Sequence, residues 1–308
     1  MNTDPRGFDL YVCAQAFLAQ HDLHPDPDTY LAHGYVPLCL RAWPGATGAP
    51  LRLATQWAVW TWLADDVFDR DLRDATPDAV SVLVVRLIGV ADGVDRPWPG
   101  DHPIVHALEQ LVAETRAMMP GIWWARYRDQ LESWIHAATE KLLSYVQPAR
   151  TPSLREYLAL RPADGGMVLA AMWTELAHQC LTADWATPPV QSLLRSFSTC
   201  GILANDLAAG PEDTFTAVTA LVHAAGMPVA EARERVRELL RAEEHRFWWL
   251  YTAVREMPDE LQPQAVRSGP VLDTSRFALH LDRFRRALTE WTAGSSRYAL
   301  AAPAEPSQ

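Results

Sequence analysis

The stretch "WTWLADDVFDRDL" (residues 60–72) sets Asp65, Asp66, Asp69 and Asp71 against a run that otherwise reads as the inside of a protein. Carboxylates beside a core are costly unless something neutralises them. On a helix from about Leu51 to Asp71, positions 57, 61, 65 and 69 share a face. Asp65 and Asp69 then project together, one turn apart, at the end of a stripe holding Trp57, Thr61 and Trp62. Hard divalent cations such as Mg2+ keep several waters and bind through one or two carboxylates plus substrate phosphates, which suits this pair. The competing reading is a solvated acidic helix end, although acids there oppose the helix dipole.

Around that stretch the chain reads as helical nearly throughout. In 120–147, Tyr127, Leu131, Trp134, Ala138, Leu142 and Tyr145 recur at steps of three and four, and 228–257 repeats the pattern from Val229 to Val254. Prolines cluster between such segments, where a missing N–H and a clash one turn back stop helices. Only "AVSVLVVRLIGV" (79–90) is ambiguous between helix and strand. The expectation is an all-α domain of about ten or more helices over residues 1–300, with a disordered tail at 301–308.

Composition narrows the function. The 308 residues carry a formal charge of −11 and no basic run, which argues against a nucleic-acid partner. Lys141 is the one lysine among 27 basic residues, so arginine is the available phosphate fork. Cys13, Cys39, Cys180 and Cys200 have no paired spacing and read as reduced core residues of a cytoplasmic protein. No apolar run is long enough to span a membrane.

Two further stretches carry oxygen ligands or cations. In "LANDLAAGPEDTF" (203–215), Asn205 and Asp213 lie eight residues apart with Asp206 and Glu212 near them; a helix ending at Gly210 and Pro211 explains the same residues without a ligand. In "EYLALRPADGGMVLAAMW" (156–173), Arg161 precedes Pro162 and is thereby biased away from helical geometry. Asp164, Gly165 and Gly166 follow, giving a broken helix whose guanidinium could hold a diphosphate bidentately. A helix–turn–helix with a surface arginine is the plainer alternative. "GSSRYAL" (294–300) adds Arg297 and Tyr298.

In order and spacing these features resemble the class I terpene synthases of bacteria. The family's aspartate-rich DDxxD matches Asp65, Asp66 and Asp69, and its second metal motif matches Asn205, Asp206 and Asp213. Arg161, 44 residues before Asn205, matches the pyrophosphate sensor, and Asp164 and Gly165 match the linker and effector positions. Arg297 and Tyr298 match the closing Arg-Tyr pair. The second metal motif departs at Ala209, where a hydroxyl is usual, and leaves open whether Glu212 or Asp213 reaches metal.

The resemblance implies a helical bundle around a central cavity, three Mg2+ ions and a prenyl diphosphate substrate. Asp65, Asp69, Asn205 and Asp213 would be metal ligands, with Asp206 and Glu212 in reserve. Asp66 would accept from an arginine, and Arg161, Arg297 and Tyr298 would bind diphosphate. Trp62 and Trp291 are the expected aromatic wall for a carbocation, with Trp57 behind them and the other tryptophans left to packing. The expected substrate is geranylgeranyl diphosphate, with farnesyl and copalyl diphosphates as alternatives. A chain-elongating prenyl diphosphate synthase would need a second DDxxD, which is absent, and a protonation-initiated cyclase a DxDD. The rival from another class is a non-catalytic helical interaction protein. Monomer and homodimer both stay open.

Overall fold

The computed structural model describes residues 5–182, 185–210, 213–256 and 271–295. Glu212, Arg297, Tyr298 and the tail 301–308 lie outside them. Among the described residues are thirteen α-helices: α1 (Pro5–Gln20), α2 (Pro27–Leu31), α3 (Tyr35–Ala42), α4 (Gly48–Asp66), α5 (Pro77–Asp92), α6 (Pro103–Met118), α7 (Gly121–Lys141), α8 (Leu154–Asp164), α9 (Met167–His178), α10 (Pro188–Ala208), α11 (Ala217–Ala225), α12 (Val229–Arg255) and α13 (Thr274–Gly294). A parallel two-residue pair, β1 (Cys180–Leu181) with β2 (Val271–Leu272), ties the end of α9 to the start of α13.

α4 is the hub. It packs on α6, α9 and α1, and Leu51, Ala54, Trp57, Ala58, Trp60 and Leu63 are all buried, so apolar residues cover it on every side. Its indoles are satisfied as they enter the core: Trp57 Nε1 donates to Thr115 Oγ1 at 2.8 Å and Trp60 Nε1 to the Ile104 carbonyl at 2.9 Å. Trp57 is fully buried between Trp60 and Tyr127, which corrects its expected place in a reaction chamber: it is packing.

The ambiguous valine-rich run is helix α5. Thr76 caps it through the Ala79 N–H, Pro77 opens it, and Gly93 ends it in the left-handed region at φ 73°. Val80, Leu83, Val84, Leu87 and Val90 face the core at three- and four-residue steps, and that burial outweighs the weak helix propensity of valine.

Two π turns, Val67–Asp71 and Leu142–Val146, continue α4 and α7. The helix expected from Leu51 to Asp71 is therefore regular only to Asp66. A π turn holds an extra residue, so it resets the helix face and re-aims Asp69. Gln147, just past the second turn, donates to the Leu72 and Ala75 carbonyls beyond the first and locks the two together.

The break between α8 and α9 comes later than Pro162 suggests. Arg161 and Pro162 are helical, inside α8, which Ser153 and Glu156 cap reciprocally. Pro162 lies on the exposed side, and Arg161 is held past it by an ion pair with Asp164 in the same helix and a tertiary one with Asp206 on α10. The turn falls at Gly165–Gly166. A Cβ on Gly165 would lie 2.7 Å from Ile202 Cγ1, and Gly166 takes φ 62° to start α9.

Candidate active site

The C-terminal end of α4, the α8–α9 break and the C-terminal end of α10 converge on one polar opening. Asp65, Asp66, Asp69, Arg161, Asn205 and Asp213 all line it. Beneath it lies a chamber whose space, counted together with the solvent at its mouth, is about 720 Å³. Asp65, Arg161 and Asn205 line both spaces, so the opening and the chamber share a rim.

The charged groups form one continuous chain. Lys141, at the end of α7, reaches Asp69 at 2.8 and 3.0 Å, Asp164 at 3.0 Å and Asp65 at 3.5 Å. The other oxygen of Asp164 is 2.6 Å from Arg161. Arg161 in turn donates to Asp206 at 2.7 Å and to Asn205 Oδ1 at 2.9 Å. Asp206 closes the chain, accepting from the Tyr157 hydroxyl at 2.6 Å and the Ala217 N–H at 2.7 Å. The first aspartate stretch is thus joined to the second through two cations and a buried carboxylate.

Burial and partners set the ionisation. Burial works against the charge on Arg161, but Asp206 and Asp164 outweigh it and hold its pKa well above the ordinary value. Burial likewise opposes the Lys141 ammonium, and Asp164, Asp69 and Asp65 together overcome it, so lysine keeps its proton. Asp164 stays ionised because Lys141 and Arg161 outweigh its desolvation, leaving its pKa below the usual range. Asp69 is pushed up to about 7: desolvation leads, Lys141 opposes it, and the carboxylates of Asp65 and Asp164 add to the rise. Desolvation also raises Asp213, against the pull of Arg161.

The chamber wall is aromatic. Trp62 stacks on Tyr35 at 5.0 Å and lies 5.2 Å from Trp291 and 6.2 Å from Trp173. Trp291 is anchored by donating to the His33 carbonyl at 2.8 Å. Trp134 and Trp173, left to packing on sequence grounds, also line the chamber, with Met167, Ile202, Phe284 and Leu288 completing it.

The structure places the remaining candidates unequally. Asp206 is 1 % exposed with three donors on it, and this set makes it an internal anchor rather than a ligand facing the opening. Asp66 forms an i,i+4 ion pair at 3.5 Å with Arg70, whose side chain is largely exposed. Ala209 lines the opening without a side-chain oxygen, and Thr214 is the hydroxyl residue found there. Sequence reasoning missed Thr214, the rim arginines Arg70 and Arg73, and Lys141. Lys141 had a visible signal: it lies two turns after Trp134, on the stripe of α7 that faces the core.

Among the described residues no three His, Cys, Asp or Glu side chains form a ready-made metal cage. The donor set fits a hard cation bound in part by its ligand: carboxylate and amide oxygens on two sides of an opening, with room between them. Arg161 Nε is buried without an acceptor at the shared rim, which fits an anionic group there.

A profile of the family described as "Terpene synthase family 2, C-terminal metal binding" matches residues 56–246, the segment that holds Asp65, Arg161 and Asn205. Bonnadiene synthase of Allokutzneria albata is 28% identical over 275 residues, covering 85% of this chain and 72% of the relative. The 4-epi-cubebol synthase of Streptosporangium roseum, named as cyclizing (2E,6E)-farnesyl diphosphate, is 24% identical over 300 residues, covering 92% of this chain and 83% of its own. In fold, the linalool/nerolidol synthase of Streptomyces clavuligerus, solved with 2-fluorogeranyl diphosphate, superposes with a TM-score of 0.80 at 21% identity over 94% of this chain and all of that one. The ladder of aspartates, arginine and asparagine at one rim therefore sits in a known helical frame, and this chain belongs to the bacterial class I terpene synthases, which are lyases.

Proposed function

We propose that the protein ionises a linear prenyl diphosphate with Mg2+ and cyclises the resulting allylic cation to a terpene hydrocarbon or alcohol. The observation that carries this reading is the rim shared by Asp65, Arg161 and Asn205, with polar space above and a tryptophan chamber below. A diphosphate fits the polar side and its isoprenoid tail the apolar side.

Asp65, Asn205 and Asp213 would hold Mg2+, for which the resemblance implies three ions. When bound, the metal supplies Lewis-acid neutralisation of the leaving group. Arg161 donates through Nε–H to the diphosphate while Asp164 and Asp206 hold its fork in place. Arg297 and Tyr298 are further proposed donors. Breaking the carbon–oxygen bond leaves the electron pair on the diphosphate and an allylic cation in the chamber. The faces of Trp62 and Trp291, and equally of Trp134 and Trp173, stabilise that cation by about 0.5–2 kcal/mol each once water is excluded.

Geranylgeranyl diphosphate is the proposed substrate, on the resemblance of the altered second metal motif to diterpene cyclases. Farnesyl diphosphate is the second reading, supported by the relative named as cyclizing it and by four indoles that narrow the chamber. Incubation with geranyl, farnesyl, geranylgeranyl and copalyl diphosphates plus Mg2+, with gas chromatography of the products, decides between them. Asp65→Ala and Arg161→Ala should each abolish turnover, and near-normal rates in either would contradict the assignment. Because Arg161 also neutralises buried carboxylates, Arg161→Lys, which keeps the charge and loses the fork, is measured beside it.

A further inference from the structure

The chain carries a single lysine among 27 basic residues, and that lysine is buried among three carboxylates of the candidate site. Both flanks of the contact are π turns, one presenting Asp69 and the other following Lys141 directly. Only 5 % of the Lys141 side chain meets solvent, and its ammonium touches both oxygens of Asp69. A planar guanidinium spreads its charge over a fork, whereas an ammonium is a compact point charge that several carboxylates can surround. The one departure from arginine thus falls where a compact cation is needed.

We propose that Lys141 is a tethered cation that stands permanently in the aspartate rim, binding Asp69 and Asp164 and keeping exchangeable metal from both. This rests on reading the rim as a metal–diphosphate site. It reassigns Asp69 from metal ligand to partner of lysine. Among the described residues, the carboxylates of Asp65, Asp66, Asp69, Asp164, Asp206 and Asp213 outnumber the cations Lys141, Arg161, Arg70 and Arg73, so the rim keeps a negative balance that attracts metal. Lys141 is a positioning residue: through Asp164 its charge also fixes Arg161, the residue expected to meet the diphosphate.

The test counts ions rather than turnover. Equilibrium dialysis of the full chain with Mg2+, with and without inorganic pyrophosphate, gives the number bound. Lys141→Ala uncovers Asp69 and Asp164 and should bind one Mg2+ more than wild type; an unchanged count overturns the proposal. Asp69→Asn should keep the wild-type count in the presence of pyrophosphate, and loss of one ion would make Asp69 a ligand and overturn it. If Lys141→Ala does not fold, wild type still decides. With one lysine, an amine-selective reagent read by mass spectrometry reports on Lys141 and the N-terminus alone. Lys141 should stay protected both without ligand and with Mg2+ and pyrophosphate, whereas labelling that appears on ligand binding would mean metal displaces the ammonium and would overturn the permanent role. Wild type that binds neither Mg2+ nor pyrophosphate would overturn the functional reading itself, and this inference with it.

Discussion

Asp65 and Asp206 are both aspartates of metal-type motifs, and their surroundings give them opposite tasks. Asp206 is buried under a hydroxyl, a guanidinium and a backbone N–H, so Asp206→Ala takes from Arg161 one of its two carboxylates and from Tyr157 and Ala217 their acceptor, and should cost about 3–5 kcal/mol in denaturant unfolding, with or without Mg2+. Asp65 is partly open, with Lys141 3.5 Å away. Asp65→Ala should change stability by less than about 1 kcal/mol while removing Mg2+-dependent turnover. The letters "ND" and "DD" were legible as candidate ligands; which carboxylate faces solvent was not. That depends on which side of α10 the core occupies, and on a π turn that periodicity cannot reveal. The same holds for the tryptophans. Trp57 and Trp62 stand five residues apart on one helix, yet one is sealed in the core and the other stacks at the chamber wall.

At the scale of elements, the turn between α8 and α9 was legible from Gly165 and Gly166, but its boundary was not. The bias that Pro162 places on Arg161 is a local preference, and two buried ion pairs on Arg161 override it. A second pairing of elements makes a pH-dependent contact far from the rim. His178 at the end of α9 and His280 on α13 stack with ring centroids 3.4 Å apart. Burial pushes His178 down to about 3, with the facing His280 and nearby Arg276 and Arg283 adding to it. Burial also takes His280 down to about 4, helped by the same two arginines and opposed by Asp273. The unfolded rings titrate near 6.5, so the unfolded chain binds more protons between that pH and the folded values. Stability held by the neutral pair above pH ~6.5 is therefore lost as pH falls, by at most about 1.4 kcal/mol per unit for each ring. His280→Phe should flatten the acid side of the melting-temperature profile between pH ~6.5 and ~4, and an unchanged slope would place the acid sensitivity elsewhere.

For the whole molecule, an anion and a cation that bind the folded rim should stabilise the bundle. At a hundredfold excess over the dissociation constant the gain is about 2.7 kcal/mol, so Mg2+ with inorganic pyrophosphate should raise the melting temperature by several degrees. A helical interaction protein with solvated acids predicts no rise, and Asp65→Ala should lose most of it. By itself the sequence determined the all-α architecture, the order of the motifs and the chemistry of the oxygen donors. Those properties reside in helical periodicity, proline punctuation and residue type along the chain. Tertiary structure alone decided that Lys141 lies among Asp65, Asp69 and Asp164, that Trp134 and Trp173 join Trp62 at the chamber, and that Asp206 turns inward. The physical reason is that burial and charge pairing join residues dozens of positions apart, through the packing of α4, α7, α8 and α10 and the face-shifting π turns between them, and no local pattern records that distance.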